Sequence, residues 1–579
     1  MIDYLKRLMP ILDWAPGYKQ QDLRGDLSAG ITVGIMLIPQ GMAYAMLAGL
    51  EPIHGLYAVT IPLVLYAVFG TSRQLAVGPV AMVSLLTAAG IGMLSPHSPA
   101  QYLLYAITLA FLVGLIQVLM GLFKLGFVVN FLSHPVISGF TSAAAIIIGL
   151  SQIKHLFRID LPNSEHVQEV LWAIAVNIFD IHWITFFLGI GGILIIRFGK
   201  KIHTSFPGSL VAVAMGIIIV SIFDLTNYGV QVVGFVPEGF PAFSMPAFEL
   251  QSWRVLLPIA LTIAFVGFAE SYAVAKTIHA KHKNYKLDPD QELIGLGMAN
   301  FGAAFFKGFP VTGGFSRTAV NDQTGARTGL ASIVSALLIV LTLLFFTELF
   351  YHLPHAILAS VVLVAVAGLI NIKTPLRLWK NDKSDFAMLM STFIITLTFG
   401  IEMGIIAGMV LSLVMVVFRA SRPHMAQLGQ VQGTKIYRNI RRFDNLIVRE
   451  DALVIRIDGP IYFANISYIK AKVDKWVAAK GNELKMIVLN MESVTSLDST
   501  AVYELKEWIE LWRKDEIDVC LSGAKGPVRD AFDRWGIIEC VGEDHIFLDS
   551  DQAMAFIDKS QDDQAILKLR KYAIQTNKE

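Results

Sequence analysis

Apolar runs separated by short polar stretches occupy the chain from residue 26 to residue 420. No Lys, Arg, Asp or Glu occurs between Arg73 and Lys124, or from Leu125 to Ile153. Because a helix needs about 20 residues to cross a bilayer, the first of these runs holds more than one span and the second at least one. The pattern predicts roughly fourteen helical spans if the short ones are broken helices. The apolar segments are 27–50, 53–69, 79–94, 102–123, 133–153, 181–197, 206–223, 255–276, 289–306, 315–322, 328–350, 355–370, 384–400 and 401–418.

Two of the short apolar segments begin at a tight Gly/Pro signal, Val77–Val80 in the first half of the chain and Thr312–Phe315 in the second. A helix that begins inside a bilayer leaves its first N–H groups unpaired and carries a partial positive charge at that end. Gly/Pro-interrupted segments in matching positions are typical of inverted-repeat transporters, which place the substrate between the two helix starts. We therefore predict an anion site between these two segments.

After Arg422 the pattern changes to that of a soluble domain. Three short runs rich in β-branched and other apolar residues predict buried strands at Leu453–Asp458, Lys485–Asn490 and Asp518–Ser522. Amphipathic segments between them predict helices at Ser467–Ala479 and Ser499–Arg513. Alternation of strands and helices indicates a small α/β domain. The predicted organisation is an N-terminal cytoplasmic segment at 1–25, a transmembrane transport domain at 26–420, a cytoplasmic α/β domain at 434–558 and a polar tail at 559–579.

Composition and charge agree with an integral membrane protein, because 54% of the residues are hydrophobic and 16% are charged. The net charge of +1 does not indicate a nucleic-acid-binding protein. Most Lys and Arg between the predicted spans fall on one side, which indicates that both termini are cytoplasmic. Cys520 and Cys540 both lie in the polar part and are interpreted as free thiols in preference to a disulfide or metal pair. Without a phosphate-binding loop, zinc signature or nucleophile elbow, the sequence predicts no enzyme activity, cofactor or metal.

Ionisable residues within predicted spans are costly and usually functional. Glu270 has apolar neighbours on its N-terminal side and is a candidate proton carrier or cation ligand. Arg317 falls in the first turn of the second broken helix, where an anion would bind. The alternative for both is a static ion pair that locks two helices together.

Three uncharged polar residues are further candidates. Gln40 and Tyr44 are four residues apart and share one helix face, so both could line an anion cavity, although hydrogen bonding between helices is the alternative. Ser316 offers a hydroxyl beside the N–H groups of the second broken helix, but an isolated Ser in a membrane helix is also a common packing residue.

Five segments together resemble the SulP family of sulfate permeases, whose animal relatives include anion exchangers. They are Ile38–Tyr44, Gly70–Pro79, Leu132–Pro135, Gly267–Ser271 and Gly313–Thr318. The soluble part resembles the STAS domain of that family. Leu497–Ala501 falls at the loop where anti-sigma-factor antagonists carry a phosphorylated hydroxyl, which makes Ser499 and Thr500 possible regulatory phosphosites. Ala501 departs from the Gly that those antagonists usually carry.

The resemblance implies a seven-plus-seven inverted repeat, divided into core and gate domains that move by an elevator-like mechanism in a homodimer. It places the anion near Val80, Ala81, Phe315, Ser316 and Arg317, with Gln40 and Tyr44 from the first span. Glu270 matches the acidic residue that couples cations in symporting members. The apolar Val274, one turn further on, favours H⁺ over Na⁺, because sodium-coupled relatives supply further oxygen ligands there.

We therefore predict a secondary active transporter in the plasma (inner) membrane that takes up sulfate with H⁺. Bicarbonate, dicarboxylate or chloride exchange are the alternatives within the family. A membrane-anchored STAS signalling scaffold is the alternative from another class, and a passive anion channel is disfavoured by Glu270. The expected partners are a small inorganic anion, H⁺, the lipid bilayer, a second copy of the chain and a regulatory protein at the STAS domain.

Overall fold

The computed structural model of the protein describes residues 8–127, 133–161, 167–202, 207–283 and 285–558. The chain divides into two compact units, Met1–Ser412 and Leu413–Glu579. Residues 1–7 of the predicted N-terminal segment, Leu132 of one family motif and the predicted tail lie outside the described residues. The predicted domain limits stay predictions.

The described chain up to Ser421 is mostly helical. Its helices are α1 (Ile11–Trp14), α2 (Gln20–Leu47), α3 (Pro52–Tyr57), α4 (Ile61–Phe69), α5 (Ala81–Gly92), α6 (Pro99–Leu122), α7 (His134–Ser151), α8 (Ile153–Phe157), α9 (Val167–Val176), α10 (Trp183–Ile202), α11 (Gly208–Ile222), α12 (Leu250–His282), α13 (Pro289–Phe305), α14 (Phe315–Gln323), α15 (Leu330–Phe345), α16 (His355–Ala367), α17 (Lys373–Asn381), α18 (Lys383–Phe399) and α19 (Ile401–Ser421). Among the described residues, five helical stretches are long and apolar enough to cross a membrane: Gln20–Leu47, Pro52–Phe69, Pro99–Leu122, His134–Phe157 and Leu250–His282.

The helices follow the predicted apolar segments, with local differences. The segment 53–69 is divided into α3 and α4, and Pro62 is the second residue of α4, where its missing N–H costs no hydrogen bond within the helix. The sequence did not predict α9, which has 10 residues and is too short to cross a bilayer. It also missed α17, because Lys373, Arg377 and Lys380 give that stretch the composition of a loop. The prediction of a polytopic helical membrane fold is nevertheless confirmed.

Several helices pack with their backbones close together at glycines. A Cβ atom added to Gly55 of α3 would lie 1.9 Å from the carbonyl oxygen of Gly41 on α2. A Cβ atom added to Gly297 of α13 would lie 2.8 Å from the carbonyl oxygen of Gly114 on α6. Small residues permit such close helix packing in membranes. The first of these contacts holds α2, which carries Gln40 and Tyr44, against α3.

The second unit contains a mixed β-sheet. In its described residues the strand order is β4 (Tyr437–Asn439), β3 (His424–Val431), β6 (Ala452–Asp458), β7 (Met486–Asn490), β8 (Asp518–Ser522) and β9 (Ile546–Phe547), and β5 (Leu446–Ile447) also pairs with β3. The pairs from β6 to β9 are parallel, whereas β3 is antiparallel to β6. The sheet therefore includes a strand that begins before the predicted domain start at residue 434.

Helices cover both faces of this sheet. The helices α20 (Ile466–Lys480), α21 (Ser499–Lys514), α22 (Gly526–Arg534) and α23 (Ile537–Val541) pack on the face that presents Ile455 and Leu489. Residues 550–558 form a further helix on the opposite face, which presents Val488 and Cys520. Alternate residues of a strand point to opposite faces, which explains this division. Cys520 is buried and Cys540 is partly exposed, and both are free thiols as predicted.

Candidate functional site

Two very short strands cross where the sequence predicted the broken helices to meet. β1 (Val77–Gly78) and β2 (Thr312–Gly313) pair antiparallel, with Val77 opposite Gly313. The main-chain N–H of Gly314 also donates to the carbonyl oxygen of Ala76, at 3.0 Å. The helix α5 begins shortly after β1, and α14 begins shortly after β2. The antiparallel pair of β1 and β2, called the crossing below, therefore brings together the N-termini of α5 and α14 from opposite directions. These two helices are called the half-helices.

The two helix starts carry partial positive charge because their first N–H groups have no partner within the helix. The first main-chain hydrogen bond of α5 runs from the N–H of Ser84 to the carbonyl oxygen of Val80. In α14 the first such bond runs from the N–H of Thr318 to the carbonyl oxygen of Gly314. Neither helix has a side-chain cap. The unpaired N–H groups at both starts are thus available to an anion.

Arg317, on the first turn of α14, links this helix to the segment just before α5. Its side chain is 2% exposed, and its Nη1 donates to the carbonyl oxygen of Pro79 at 2.6 Å. Its Nε and Nη2 are buried and have no hydrogen-bond partner among the described residues. A buried guanidinium with unsatisfied donors is costly unless a ligand completes it. Two donors of the Arg317 guanidinium therefore remain for a ligand beside the starts of α5 and α14.

Glu270 on α12 lies close enough to Arg317 for their charges to interact. Among the described residues the two form no ion pair, and Oε2 of Glu270 is buried without a hydrogen-bond partner. Hydrogen bonds on either side of Glu270 hold α12 against β2. The hydroxyl of Thr312 donates to the carbonyl oxygen of Gly267 at 2.7 Å, and Oγ of Ser271 accepts from the N–H of Gly313 at 2.7 Å. The structure thus does not contain the direct Glu270–Arg317 ion pair that was the alternative interpretation.

A cavity of about 200 Å³ opens beside the crossing. Glu270 is the one ionisable residue among the described residues that line it, and Phe315 of α14 contributes a 57% exposed ring. The helix α7 contributes the opposite wall with Phe140 and Thr141, neither of which the sequence had indicated. The other lining residues are apolar: Met82, Val136, Ile137, Val266, Ala269, Ala273, Val274 and Leu369.

The remaining candidate residues divide into buried and exposed positions. Gln40 is 6% exposed and its Oε1 has no hydrogen-bond partner in the described chain, so it is free to contact a ligand. Tyr44 is buried near Arg317 and Glu270. Val80 and Ala81 are buried at the start of α5. Ser316 is exposed beside Phe315.

The predicted regulatory residues of the second unit stand at the start of α21. Ser499 and Thr500 are both exposed. Asp498 caps the helix, because its Oδ1 accepts from the N–H of Ala501 at 2.8 Å. A phosphate on either hydroxyl would lie at a helix N-terminus, which favours negative charge. The carboxylate of Asp498 already occupies part of that position.

Sequence reasoning missed two buried carboxylates, Asp26 and Glu292. Both side chains are 0% exposed. Asp26 lies at the predicted domain edge and Glu292 lies near the N-terminus of α13, so neither stands out as a charge in the middle of an apolar run. Their hydrogen bonds to main-chain N–H groups are visible only in the folded chain.

Comparison with known proteins supports the sequence resemblance. The family model described as "Sulfate permease family" matches residues 23–392, and the STAS domain model matches residues 445–553. "Sulfate transporter 4.1, chloroplastic" of Arabidopsis thaliana is 38% identical over 95% of this chain and 82% of its own length. "High affinity sulfate transporter 2" of Stylosanthes hamata is 32% identical over 95% of this chain and 86% of its own. The structure of the murine Solute Carrier 26 family member A9 anion transporter in the inward-facing state has a TM-score of 0.89 at 25% identity, over 96% of this chain and 95% of that one.

Proposed function

Because this chain belongs to the sulfate permease family, and its members are transporters and not enzymes, we propose that it imports sulfate together with H⁺. The observation that carries the proposal is the buried Arg317, whose Nε and Nη2 have no partner within the described chain beside two helix N-termini. A tetrahedral oxyanion can accept from the guanidinium and from the N–H groups of both half-helices. The names of the plant relatives favour sulfate as that oxyanion.

Glu270 supplies the proton site in this proposal. It lines the same cavity as Phe315, and most of that cavity is apolar, which penalises an unpaired carboxylate. When sulfate binds, its negative charge offsets that of Arg317, so that an ionised Glu270 nearby becomes less favourable and the carboxyl takes up a proton. Binding of sulfate and of H⁺ is therefore mutually favourable, which is the coupling that symport requires.

The membrane potential gives a separate reason for coupling. Moving one negative charge into a cell whose interior is negative costs about 2.3 kcal/mol per 100 mV, so a doubly charged anion costs about twice that amount before any concentration gradient. A co-transported cation offsets this cost. Na⁺ normally takes several oxygen ligands, whereas the cavity wall next to Glu270 presents Ala269, Ala273 and Val274. These neighbours favour H⁺.

The transport cycle in this proposal is elevator-like. The half-helices, α12 and the residues that bind the anion form the part that moves, and α7 belongs to the part that it moves against. The protein acts as a homodimer in the plasma (inner) membrane. Both termini lie in the cytoplasm, as the distribution of Lys and Arg between the spans indicates. The STAS domain modulates rate, assembly or trafficking, and a partner protein or phosphorylation at Ser499 or Thr500 acts through it.

Uptake by proteoliposomes tests the proposal. The purified chain is reconstituted, and uptake of labelled sulfate, bicarbonate and fumarate is measured with and without an inwardly directed H⁺ gradient. We expect sulfate to accumulate, and to do so only with the gradient. Accumulation of bicarbonate or fumarate in place of sulfate would contradict the assignment of sulfate as the substrate. Equal sulfate uptake with and without the H⁺ gradient would contradict the coupling.

A further inference from the structure

A buried carboxylate holds the segment that leads into the first half-helix. Both oxygens of Glu292 on α13 accept hydrogen bonds. Oε1 accepts from the N–H and the hydroxyl of Thr71, each at 2.6 Å, and from the N–H of Ser72 at 2.8 Å. Oε2 accepts from the hydroxyl of Tyr66 at 2.7 Å. Four donors converge on one carboxylate, which has no ion-pair partner among the described residues.

A second buried carboxylate has the same arrangement after the second half-helix. Oδ1 of Asp26 on α2 accepts from the N–H of Arg327 at 2.7 Å and from the N–H of Thr328 at 3.0 Å. Oδ2 accepts from the hydroxyl of Thr328 at 2.5 Å and from the hydroxyl of Tyr18 at 3.1 Å. Each carboxylate thus binds two successive main-chain N–H groups, one threonine through both of its donors, and one tyrosine. Each also comes from the opposite half of the chain to the segment it holds.

Direct hydrogen bonds join the two held segments to each other. Gln74 lies in the first, and its Nε2 donates to the carbonyl oxygen of Ala326 at 3.2 Å. Nδ2 of Asn321, on α14, donates to the carbonyl oxygen of Gln74 at 2.9 Å. The hydroxyl of Tyr285 donates to Oε1 of Gln74 at 3.0 Å. Glu292 and Asp26 therefore stand at the two ends of one polar network.

The network continues to the residues that bind the anion in the proposed function. The hydroxyl of Thr318 accepts from the N–H of Ala76 at 3.0 Å, and the carbonyl oxygen of Ala76 accepts from Gly314. Pro79, three residues after Ala76, accepts from Arg317. A shift of the segment at Thr71 and Ser72 therefore displaces the acceptor that orients Arg317.

From this geometry we propose that Glu292 and Asp26 are positioning residues for anion binding. Neither carboxylate touches the anion. Each holds a segment adjoining one half-helix, so that the two helix starts and Arg317 keep the separation that the anion needs. An ionised carboxylate suits this role because it only accepts, and all the groups around it are donors. The proposal rests on the proposed function for the identity of the ligand but not for the existence of the network.

Isosteric amides provide the test. In Glu292→Gln and Asp26→Asn one acceptor oxygen becomes an NH₂ group that faces existing donors. The matched control is Asp290→Asn on the same turn of α13, because Asp290 accepts from Gly126 at 2.9 Å, outside the network. Full-length proteins are compared by sulfate binding, by thermal unfolding and by hydrogen exchange without anion.

We expect the dissociation constant for sulfate to rise by about tenfold or more in each amide variant, as loss of charge-assisted hydrogen bonds near a site allows. We expect amides in 70–80 to exchange at least about tenfold faster in Glu292→Gln, with the control unchanged. Variants that are less heat-stable but bind sulfate as wild type does would show a merely structural role and overturn the proposal. If Glu292→Gln does not fold, Thr71→Val removes one donor, and an unchanged affinity and exchange rate in it would equally overturn the proposal.

Hydrogen exchange separates this proposal from the proposed function. If the wild type binds no sulfate but Glu292→Gln speeds exchange in 70–80, the network holds the crossing and the substrate assignment has failed. If wild-type binding is normal and neither exchange nor affinity changes in the variants, the substrate assignment stands and the positioning role has failed.

Discussion

Nη1 of Arg317 donates to the carbonyl oxygen of Pro79 at 2.6 Å, and this bond joins the second half-helix to the segment just before the first. The bond uses one donor of the guanidinium and leaves Nε and Nη2 buried without a partner among the described residues. One edge of the guanidinium is therefore held in place, and in the proposed function the other edge binds the anion. Arg317 both connects the two halves of the crossing and provides it with positive charge.

Replacing Arg317 by Ala should weaken sulfate binding by about tenfold or more. A hydrogen bond to a charged group contributes about 1.5–3 kcal/mol, and about 1.4 kcal/mol corresponds to tenfold in affinity. Equilibrium binding of labelled sulfate to the purified protein measures the change. The control is Arg377→Ala, which removes an exposed arginine of α17. Equal affinity in wild type and Arg317→Ala would remove Arg317 from the site.

Gly314 leaves the space that the guanidinium occupies. A Cβ atom at this position would lie 2.7 Å from Nη2 of Arg317 and 2.8 Å from Cζ. Gly314→Ala should therefore displace the Arg317 side chain and reduce sulfate affinity about as much as Arg317→Ala does. Because both changes act through one group, the double variant should bind no more weakly than Arg317→Ala alone. Additive losses in this double-mutant cycle would show that Gly314 acts independently of Arg317.

The crossing could be predicted from the sequence because glycines and a proline mark both half-helix starts. The apolar runs likewise predicted the helical membrane fold, and Glu270 and Arg317 stood out as charges in those runs. Glu292 and Asp26 could not be assigned in this way, since their N–H partners lie 220 to 302 residues away and main-chain donors leave no sequence signature. The cavity wall formed by Phe140 and Thr141 was also missed, because an apolar helix gives no sign of which face meets the site.

The first strand of the soluble domain was likewise not predicted from the sequence. The parallel strands β6, β7 and β8 and the helices α20 and α21 were predicted nearly at their observed bounds. The strand β3 was missed because it lies directly after α19, where the sequence indicated only a connection. It pairs with β6 through five residues and buries Met425, Ala426 and Leu428.

A fragment that includes β3 should be more stable than one that begins at the predicted start. We expect residues 423–558 to fold alone and residues 434–558 to lose several kcal/mol of unfolding free energy, because burying a large apolar side chain contributes about 1.5–3 kcal/mol. Urea denaturation followed by circular dichroism measures both fragments. Equal midpoints and slopes would contradict the assignment of β3 to the domain core.

His545 should make the stability of the soluble domain depend on pH. Its Nε2 lies 2.7 Å from a carboxylate oxygen of Asp518, and its Nδ1 lies 2.8 Å from one of Asp544. The hydrogen bond to Asp518 raises the pKa of His545 above its usual value, although burial opposes the shift. The stabilisation is therefore complete below the unfolded pKa of about 6.5 and is lost as pH rises through the folded pKa.

Urea unfolding of the fragment 423–558 at about pH 5.5 and about pH 8.5 measures this dependence. We expect wild type to lose more unfolding free energy than His545→Gln between these two values. An identical loss in both proteins would show that His545 does not contribute to the pH dependence.

The most direct test of the account separates H⁺-driven accumulation from anion exchange in Glu270→Gln. Proteoliposomes with wild type or variant are given labelled sulfate, first under an inward H⁺ gradient and then with unlabelled sulfate inside and no gradient. We expect the variant to lose H⁺-driven accumulation, because an amide cannot carry the proton, and to retain exchange, because Arg317 and the helix starts still bind sulfate. Accumulation at the wild-type level in Glu270→Gln would contradict the proposed H⁺ coupling.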